Sequence, residues 1–247
     1  MKNISSKNNS IFKNISKLLF KNNKRKASNS FIVEGIKDIN LCHNYGFEFI
    51  EIIICSELIS NQNINYIDTN FNNVVVYNFS LKLYQELIYK KKGDGLLALI
   101  KSKDNSLKNF KISKNPYILI AESPEKPGNI GALLRTADAA HLDAVIIANP
   151  KTDLYNPNII RSSVGCVFTN QIAIGSTVEI LSFLQKKQIN IFRLNNLMSS
   201  LGLLLESNPS TYLRHFFFTG TRRYYSGSKF GAPVSSFYVR RFCHCSI

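Results

Sequence analysis

The sequence predicts an α/β protein with two α/β domains, and three features lead to this prediction. Short runs rich in Ile, Val and Leu alternate with segments of helical periodicity. A polar Lys- and Ser-rich stretch at 103–114 has the composition of a linker. The length of 247 residues suffices for two modest domains. We therefore predict domains at 1–104 and 115–192, followed by an atypical tail at 193–247.

The first thirty residues are basic, with eight Lys or Arg and no Asp or Glu. Ile11, Ile15, Leu18 and Leu19 recur at helical spacing with lysines between them. A transit peptide would carry more Arg, and a signal peptide would need an uninterrupted apolar core. We therefore predict a basic amphipathic helix that belongs to the first domain. Strands near 31–33, 50–55, 74–77 and 96–100, and helices near 36–44 and 81–89, complete that domain.

The second domain opens with a strand at 116–121, a loop, a helix and a strand at 144–148. Pro127 and Gly128 mark the loop, and Asn129 is expected to be the N-cap of a helix over 130–141. Gly131 and Arg135 lie one turn apart on one face, which leaves room for a backbone or ligand beside the glycine. Spacing alone leaves open whether Arg135 is functional or a solvated surface charge.

The stretch Pro127-Gly-Asn-Ile-Gly-Ala-Leu-Leu-Arg-Thr-Ala137 resembles the first motif of the SpoU (TrmH-like) family of RNA ribose methyltransferases, and Glu122 precedes it in register. The segment 156–168 resembles the family's second motif, with Arg161, Ser163 and Gly165 at the motif positions. Lys24-Arg25-Lys26, followed by the strand at 31–33, resembles the start of the small substrate-binding domain of many relatives.

This resemblance implies a substrate-binding α/β domain followed by a SPOUT methyltransferase domain, which contains a trefoil knot in the family. It implies transfer of a methyl group from S-adenosylmethionine to a ribose 2′-hydroxyl of ribosomal or transfer RNA by a homodimer. Arg135 would activate the hydroxyl, and Asn129 would orient the loop or the substrate. Ser163 and Gly165 are candidate contributors to a cofactor pocket that is otherwise unknown. Lys24, Arg25 and Lys26 are the candidate RNA-binding residues.

Composition agrees with an RNA partner. The formal charge is +15 and the sequence pI about 9.6, which favours a polyanion; an anionic membrane surface is the alternative. No apolar run reaches eighteen residues, so we expect no membrane span. Five cysteines without a Cys-x-x-Cys pair indicate reduced thiols and a cytoplasmic protein. Cys243-His244-Cys245 could suggest zinc, but we expect no metal site.

The segment after Phe192 differs from the body of the chain. It lacks the family's third motif, a Gly-x-Glu turn and a Ser-Leu-Asn helix start, and it contains six Arg and one Lys where residues 1–192 contain three and 21. We hypothesise that the tail is translated from a shifted reading frame, because codons for 219–224 read one nucleotide on can encode Leu-Gly-x-Glu-Asp. Translation of the gene in all three frames tests this hypothesis.

Two other functions remain open from the sequence. A catalytically inactive RNA-binding remnant of the family would keep the basic first domain and lose the cofactor. An enzyme acting on nucleotide phosphates could use the Pro-Gly-Asn loop at a helix N-terminus, but the chain has neither Gly-Lys-Ser/Thr nor Gly-x-Gly-x-x-Gly.

Overall fold

The computed structural model describes residues 1–89, 93–113, 115–194 and 216–219. The N-terminal part contains a five-stranded sheet in the order β1-β4-β3-β5-β2. Strands β1, β4 and β3 are parallel, whereas β5 is antiparallel to β3 and β2. Its strands are β1 (Lys2–Ile4), β2 (Ser30–Glu34), β3 (Phe49–Ile54), β4 (Val75–Phe79) and β5 (Leu96–Lys101). Its helices are α1 (Ser10–Phe20), α2 (Asn22–Ser28), α3 (Ile36–Asn44), α4 (Asn61–Asn70) and α5 (Leu81–Leu87).

The C-terminal part contains a second five-stranded sheet, in the order β8-β7-β6-β10-β9. Strands β6, β7 and β8 are parallel, and β10 is antiparallel to both of its neighbours. Its strands are β6 (Ile118–Glu122), β7 (Ala144–Ala148), β8 (Ile172–Gly175), β9 (Ile191–Leu194) and β10 (Phe216–Thr219). Its helices are α6 (Pro127–Ala139), α7 (Pro157–Ser163), α8 (Cys166–Thr169) and α9 (Thr177–Lys186).

Helix α1 confirms the predicted amphipathic helix. The side chains of Phe12, Ile15, Leu18 and Leu19 are buried, and they belong to a cluster with residues of β4 and α5 such as Phe79. The Asn9 side chain accepts a hydrogen bond from the Ile11 amide at 2.8 Å and caps the helix. The apolar face of α1 is therefore part of the core of the N-terminal sheet.

The two sheets share one hydrophobic cluster, which contains residues of β2 and β3 together with residues of α6, α7 and α8. At its centre the ring of Phe31 stacks on that of Tyr155, with centroids 4.2 Å apart and planes 8° apart. Phe47 meets Tyr155 and Phe168 edge to face. Such pairs contribute about 0.5–1.5 kcal/mol beyond the area they bury. The N-terminal and C-terminal parts therefore pack against each other through aromatic side chains.

Helix α6 begins earlier than the sequence predicts, so the expectation that Asn129 caps it is wrong. The helix starts at Pro127, and Lys126 is the N-cap, without a side-chain hydrogen bond. Proline at the first helical position has its φ already set for a helix and no amide hydrogen that needs a partner. Asn129 is consequently the third residue of the helix, and its amide donates to the Lys126 carbonyl at 3.0 Å.

Candidate active site

The first motif lies at the carboxyl ends of the parallel strands. Strand β6 ends at Glu122, and Ser123 turns the chain with a left-handed φ of 48° before the loop that leads into α6. Strand β7 ends in the same way, with Asn149 at a φ of 46°. In open α/β sheets the crevice beyond the carboxyl ends of the strands is where ligands bind. The structure therefore places the motif loop at a location suited to a ligand.

A polar cluster joins the ends of three strands, and we call it the strand-end cluster: Glu122, Asn149 and Thr177. The Asn149 amide donates to Glu122 Oε1 at 3.0 Å and to Thr177 Oγ1 at 2.7 Å. The Thr177 hydroxyl donates to Glu122 Oε2 at 2.7 Å. Asn149 and Thr177 were not predicted from the sequence. The signal that could have found them is a polar residue following each buried strand of a parallel sheet.

Helices α6 and α7 are in close contact at Gly131. A Cβ at this position would lie 2.0 Å from Ser162 Oγ and 2.7 Å from the Ser162 carbonyl carbon. The predicted close approach to Gly131 is therefore made by the backbone of α7. This contact fixes α7 against the first turns of α6, where Ser162 Oγ also donates to the Pro127 carbonyl at 3.5 Å.

The side chain of Arg135 is exposed on α6. Within the described parts of the chain it makes neither a hydrogen bond nor a salt bridge. Its positive charge affects the pKa of the Cys166 thiol. Burial raises that pKa, the nearby Asp138 raises it further, and Arg135 lowers it. Arg135 thus lies on the side of α6 that faces α8, with its guanidinium accessible to an incoming group.

Asn129 is half-buried in the first turn of α6. No side chain among the described residues bonds its amide group. It lies six positions before Arg135, which places the two about 9 Å apart along the helix axis and on different faces. The structure therefore puts both predicted catalytic residues on one helix without bringing their side chains together. Their catalytic roles stay predictions.

Ser163 and Gly165 are both engaged in packing. Ser163 is 0% exposed; its hydroxyl donates to the Ile160 carbonyl at 2.9 Å and accepts from the Val167 amide at 3.3 Å. Gly165 has a φ of 89°, and a Cβ there would lie 2.4 Å from Leu41 Cδ1 of α3. These contacts explain a small residue at each position by packing. A contribution of either residue to a cofactor pocket stays a prediction.

The basic run at the start of α2 divides between the interior and the surface. Lys24 and Lys26 are exposed, whereas Arg25 is only 4% exposed. Arg25 donates to both carboxylate oxygens of Asp153, from Nε at 3.0 Å and from Nη2 at 2.7 Å. Its Nη1 donates to the carbonyls of Leu18 and Leu19. Arg25 is therefore bound within the protein, and only the lysines present charge to solvent.

Arg161 of the second motif lies at the seam between the two parts of the chain. Its guanidinium carbon is 4.0 Å from the centroid of the Tyr89 ring, and both side chains are exposed. A cavity of about 290 Å³ also opens along this seam, beside Lys103 and Tyr155. No residue of the first motif lines this cavity. The motif and the cavity are therefore separate features of the surface.

Two protein-family models match the chain. The model of the SpoU rRNA Methylase family matches residues 116–205, and that of the MRM3-like substrate binding domain matches residues 8–98. The first match contains the motif loop, α6 and the strand-end cluster. Residues 116–205 of this chain are therefore similar to the SpoU family. The SpoU match extends past Phe192 and ends at residue 205, inside the segment that lacks the third motif.

Known proteins of similar sequence and structure agree with this assignment. The 23S rRNA (uridine(2479)-2′-O)-methyltransferase of Streptomyces viridochromogenes is 24% identical over 183 residues, which are 73% of this chain. This chain spans 63% of that enzyme's length. A crystal structure of an RNA 2′-O ribose methyltransferase matches with a TM-score of 0.62 and 28% identity, covering 75% of this chain and 70% of that one.

The fold matches that of SPOUT methyltransferases. The SpoU methyltransferase AviRb from Streptomyces viridochromogenes, crystallised with AdoMet, matches with a TM-score of 0.67 at 22% identity, covering 73% of this chain and 68% of that one. Among the described helices of this chain, none is long and apolar enough to cross a membrane. No cluster of three potential metal ligands occurs in the described residues, and Cys243-His244-Cys245 lies outside them. The shifted-frame hypothesis concerns the codons for 219–224, and residues 220–224 lie outside the described residues.

Proposed function

We propose that this chain transfers a methyl group from S-adenosylmethionine to a ribose 2′-hydroxyl of ribosomal RNA. The observation that carries the proposal is the first motif folded as a loop and helix at the carboxyl edge of the parallel strands, with Arg135 exposed and unpaired within the described residues. The second family match, a substrate-binding domain over residues 8–98, supplies a means of holding RNA. The Streptomyces relative acts on 23S rRNA, which makes large-subunit RNA the first substrate to test.

The residues at the strand ends fit part of such a cofactor. S-adenosylmethionine presents an ammonium group, a carboxylate and ribose hydroxyls, and the strand-end cluster offers a carboxylate, an amide and a hydroxyl. Gly128 adds space at the start of α6, because a Cβ there would meet no atom within 4 Å. When bound, the cofactor supplies an electrophilic methyl group. Glu122, Asn149 and Thr177 are the described residues that would help to hold it.

Arg135 would assist the reaction by electrostatics. A ribose hydroxyl is a weak nucleophile at neutral pH, and negative charge develops on its oxygen as the methyl group is transferred. A guanidinium stays charged at neutral pH, so it stabilises that oxygen and positions it without acting as a base. Asn129, two turns nearer the start of α6, would orient the loop or the substrate through its amide. Each role needs only side chains that this chain possesses.

We further propose that the active species is a homodimer in the cytoplasm. The support is the similarity of residues 116–205 to the SpoU family and the reduced state expected of the thiols. Within the described residues Cys42, Cys55 and Cys166 are free. Light scattering on the purified chain measures the dimer: a mass near 56 kDa, twice that of the chain, supports it, and a mass near 28.0 kDa at micromolar concentration contradicts it.

The test of function is methyl transfer by the full chain. Purified protein is incubated with tritiated S-adenosylmethionine and either 23S rRNA transcripts or a transfer RNA pool. We expect label in the 23S rRNA, at a position that resists alkaline cleavage because the 2′-oxygen is methylated. Label in transfer RNA alone would reassign the substrate. RNA binding without cofactor binding, measured by calorimetry, would identify the chain as an inactive RNA-binding member of the family.

A further inference from the structure

The outer face of α1 combines lysines with one large aromatic side chain. Lys13, Lys17 and Phe20 follow each other at intervals of four and three residues, so they form one stripe along the helix. All three are exposed, and the Phe20 ring reaches 62% exposure at the C-terminal end of the helix. The opposite face carries the buried residues of the core. Phe20 therefore breaks the amphipathic pattern of the helix at a single position.

The charged residues that flank Phe20 in sequence are all cationic. Residues 1–30 contain no Asp or Glu, and the lysines exposed on α1, α2 and the residue between them are Lys13, Lys17, Lys21, Lys24 and Lys26. Isolated exposed hydrophobic side chains are common and need no explanation. A phenyl ring within a stripe of lysines is different, because the combination matches the π-faces and phosphates of unpaired nucleic acid.

Arg25 keeps this arrangement rigid. Its Nη1 donates at 2.6 Å to the Leu18 carbonyl and at 3.2 Å to that of Leu19, two carbonyls in the last turn of α1. Carbonyls at a helix end lack partners within the helix, so these bonds hold α2 against the end of α1 that carries Phe20. The buried guanidinium therefore fixes the corner from which the lysines of α2 project.

We propose that Lys13, Lys17, Phe20, Lys21 and Lys24 form a platform for an unpaired nucleotide of the RNA substrate, and we call these residues the Phe20 platform. The base stacks on the Phe20 ring, and the neighbouring phosphates bind the lysines. An RNA helix does not expose its base faces, so the platform selects a loop, bulge or single-stranded end. The inference rests on the proposed function, in that it takes RNA as the substrate.

The structure favours RNA over an anionic membrane as the occupant. A basic amphipathic helix binds membranes through its apolar face, which must be free to enter the lipid. In α1 that face is already buried against the N-terminal sheet, since Ile15 and Leu18 are 0% and 1% exposed. The outer face of α1 offers lipid a single phenylalanine, so membrane binding there would depend on electrostatic attraction between the lysines and the lipid head groups. Stacking plus phosphate contacts uses every exposed group of the stripe.

Three substitutions at one position test the stacking. The full chain is titrated, without cofactor, against a fluorescent hairpin with an unpaired loop and against a fully paired duplex of equal length. Phe20→Ala and Phe20→Leu should weaken hairpin binding by roughly 5- to 150-fold, the range expected for one base–aromatic stack, and Phe20→Tyr should restore it. Duplex binding should stay unchanged. Tyr117→Ala, which removes an exposed ring from the C-terminal part, is the matched control.

The charge of the platform has its own readout. Lys17→Gln should reduce the slope of log K against log salt by about 0.7–0.9, the loss of one phosphate contact. Hairpin binding by Phe20→Leu equal to that of the unmodified chain would overturn the stacking, as would equal losses on hairpin and duplex. If Phe20 substitutions weaken binding to phosphatidylserine vesicles and leave RNA binding unaffected, the occupant of this surface is a membrane and the proposal is wrong. Methyl transfer is measured in a separate assay. A chain that shows no methyl transfer, but still binds the hairpin more tightly with Phe20 than with leucine at that position, contradicts the proposed activity and leaves the Phe20 platform intact.

Discussion

The two glycines of the first motif meet opposite surroundings. Gly131 faces the Ser162 backbone, so a methyl group there would collide with atoms that cannot move without shifting α7; at Gly128 the same methyl group would enter open space. We expect Gly131→Ala to lower the free energy of unfolding by about 1–3 kcal/mol, as overpacking does. Gly128→Ala should be neutral or stabilise by up to about 1 kcal/mol, because alanine favours the helix. Urea denaturation of both variants measures the contrast, and equal effects would contradict this account of Gly131.

Arg135 offers the sharpest test of chemistry at a single residue. Its side chain is exposed and makes no hydrogen bond or salt bridge among the described residues, so its removal should leave the melting temperature unchanged. We expect Arg135→Ala to lower kcat by roughly 10²- to 10³-fold, as the loss of one charge-stabilising donor does. The kcat of Arg135→Lys should lie between those of Arg135→Ala and the unmodified chain, because lysine keeps the positive charge and lacks the planar guanidinium. The measurement is single-turnover methyl transfer at saturating RNA.

Lys186→Ala is the control for loss of one positive charge, since it lies in the last turn of α9. It should change RNA affinity slightly and leave kcat intact. Turnover by Arg135→Ala equal to that of the unmodified chain would remove Arg135 from the mechanism. A raised KM with unchanged kcat would instead assign Arg135 to RNA binding.

At the scale of elements, hydrophobic periodicity was a good guide where it was strong. The predicted strands near 96–100 and 144–148, and the helix near 36–44, match β5, β7 and α3 closely. Helix α4 was missed because its sequence, rich in Asn, has weak helix propensity. It forms because Ser60 caps the Asn63 amide and Ile67 is buried in the shared cluster. Tertiary packing here overrides local preference.

The candidate site was predictable only where its residues were local in sequence. Asn129 and Arg135 fall within one motif. The strand-end cluster joins residues 27 and 55 positions apart from Glu122, and Arg25 bonds an aspartate 128 positions away. In the run Lys24-Arg25-Lys26, no local feature of the sequence indicates that Arg25 is the buried residue. Such pairings depend on the order of strands and on domain packing, which a single sequence does not specify.

Glu51 of β3 has a partly buried carboxylate, and this burial predicts that the stability of the chain depends on pH. Burial raises the pKa of Glu51, and its buried Oε2 has no hydrogen-bond partner among the described residues. A carboxyl whose folded-state pKa is raised supports the fold fully below its unfolded pKa and loses that support as pH rises through the folded value. At neutral pH the charge therefore costs stability.

We expect Glu51→Gln to raise the free energy of unfolding at pH 7 by about 1 kcal/mol or less, since the side chain is partly solvated. The gain should disappear below about pH 4, where the unfolded carboxyl is also protonated. Urea titrations at several pH values measure the difference, with the exposed Glu125→Gln as control. A gain that is independent of pH would exclude the charge as its cause.

On the scale of the whole molecule, a buried ion pair and an aromatic stack join the two sheets. The Arg25 and Asp153 side chains are 4% and 10% exposed, so their charges are held almost entirely out of water. Loss of one partner leaves the other charge buried alone and costs about 3–5 kcal/mol. The stack of Phe31 on Tyr155 belongs to the same interface. Together these contacts should make the N-terminal and C-terminal parts unfold as one cooperative unit.

We expect Arg25→Met and Asp153→Leu each to destabilise the chain by about 3–5 kcal/mol and to split its urea transition into two. The double variant should recover part of the loss, because no charge remains buried, and the coupling energy of the cycle should be about 0.5–3 kcal/mol. Recovery should stay incomplete, because the Leu18 and Leu19 carbonyls lose their donor in both Arg25 variants.

Lys24→Met, one residue away and exposed, should change stability by no more than about 0.5 kcal/mol. Additive single effects would mean that the pair contributes no coupling, and that the aromatic interface alone holds the two parts together.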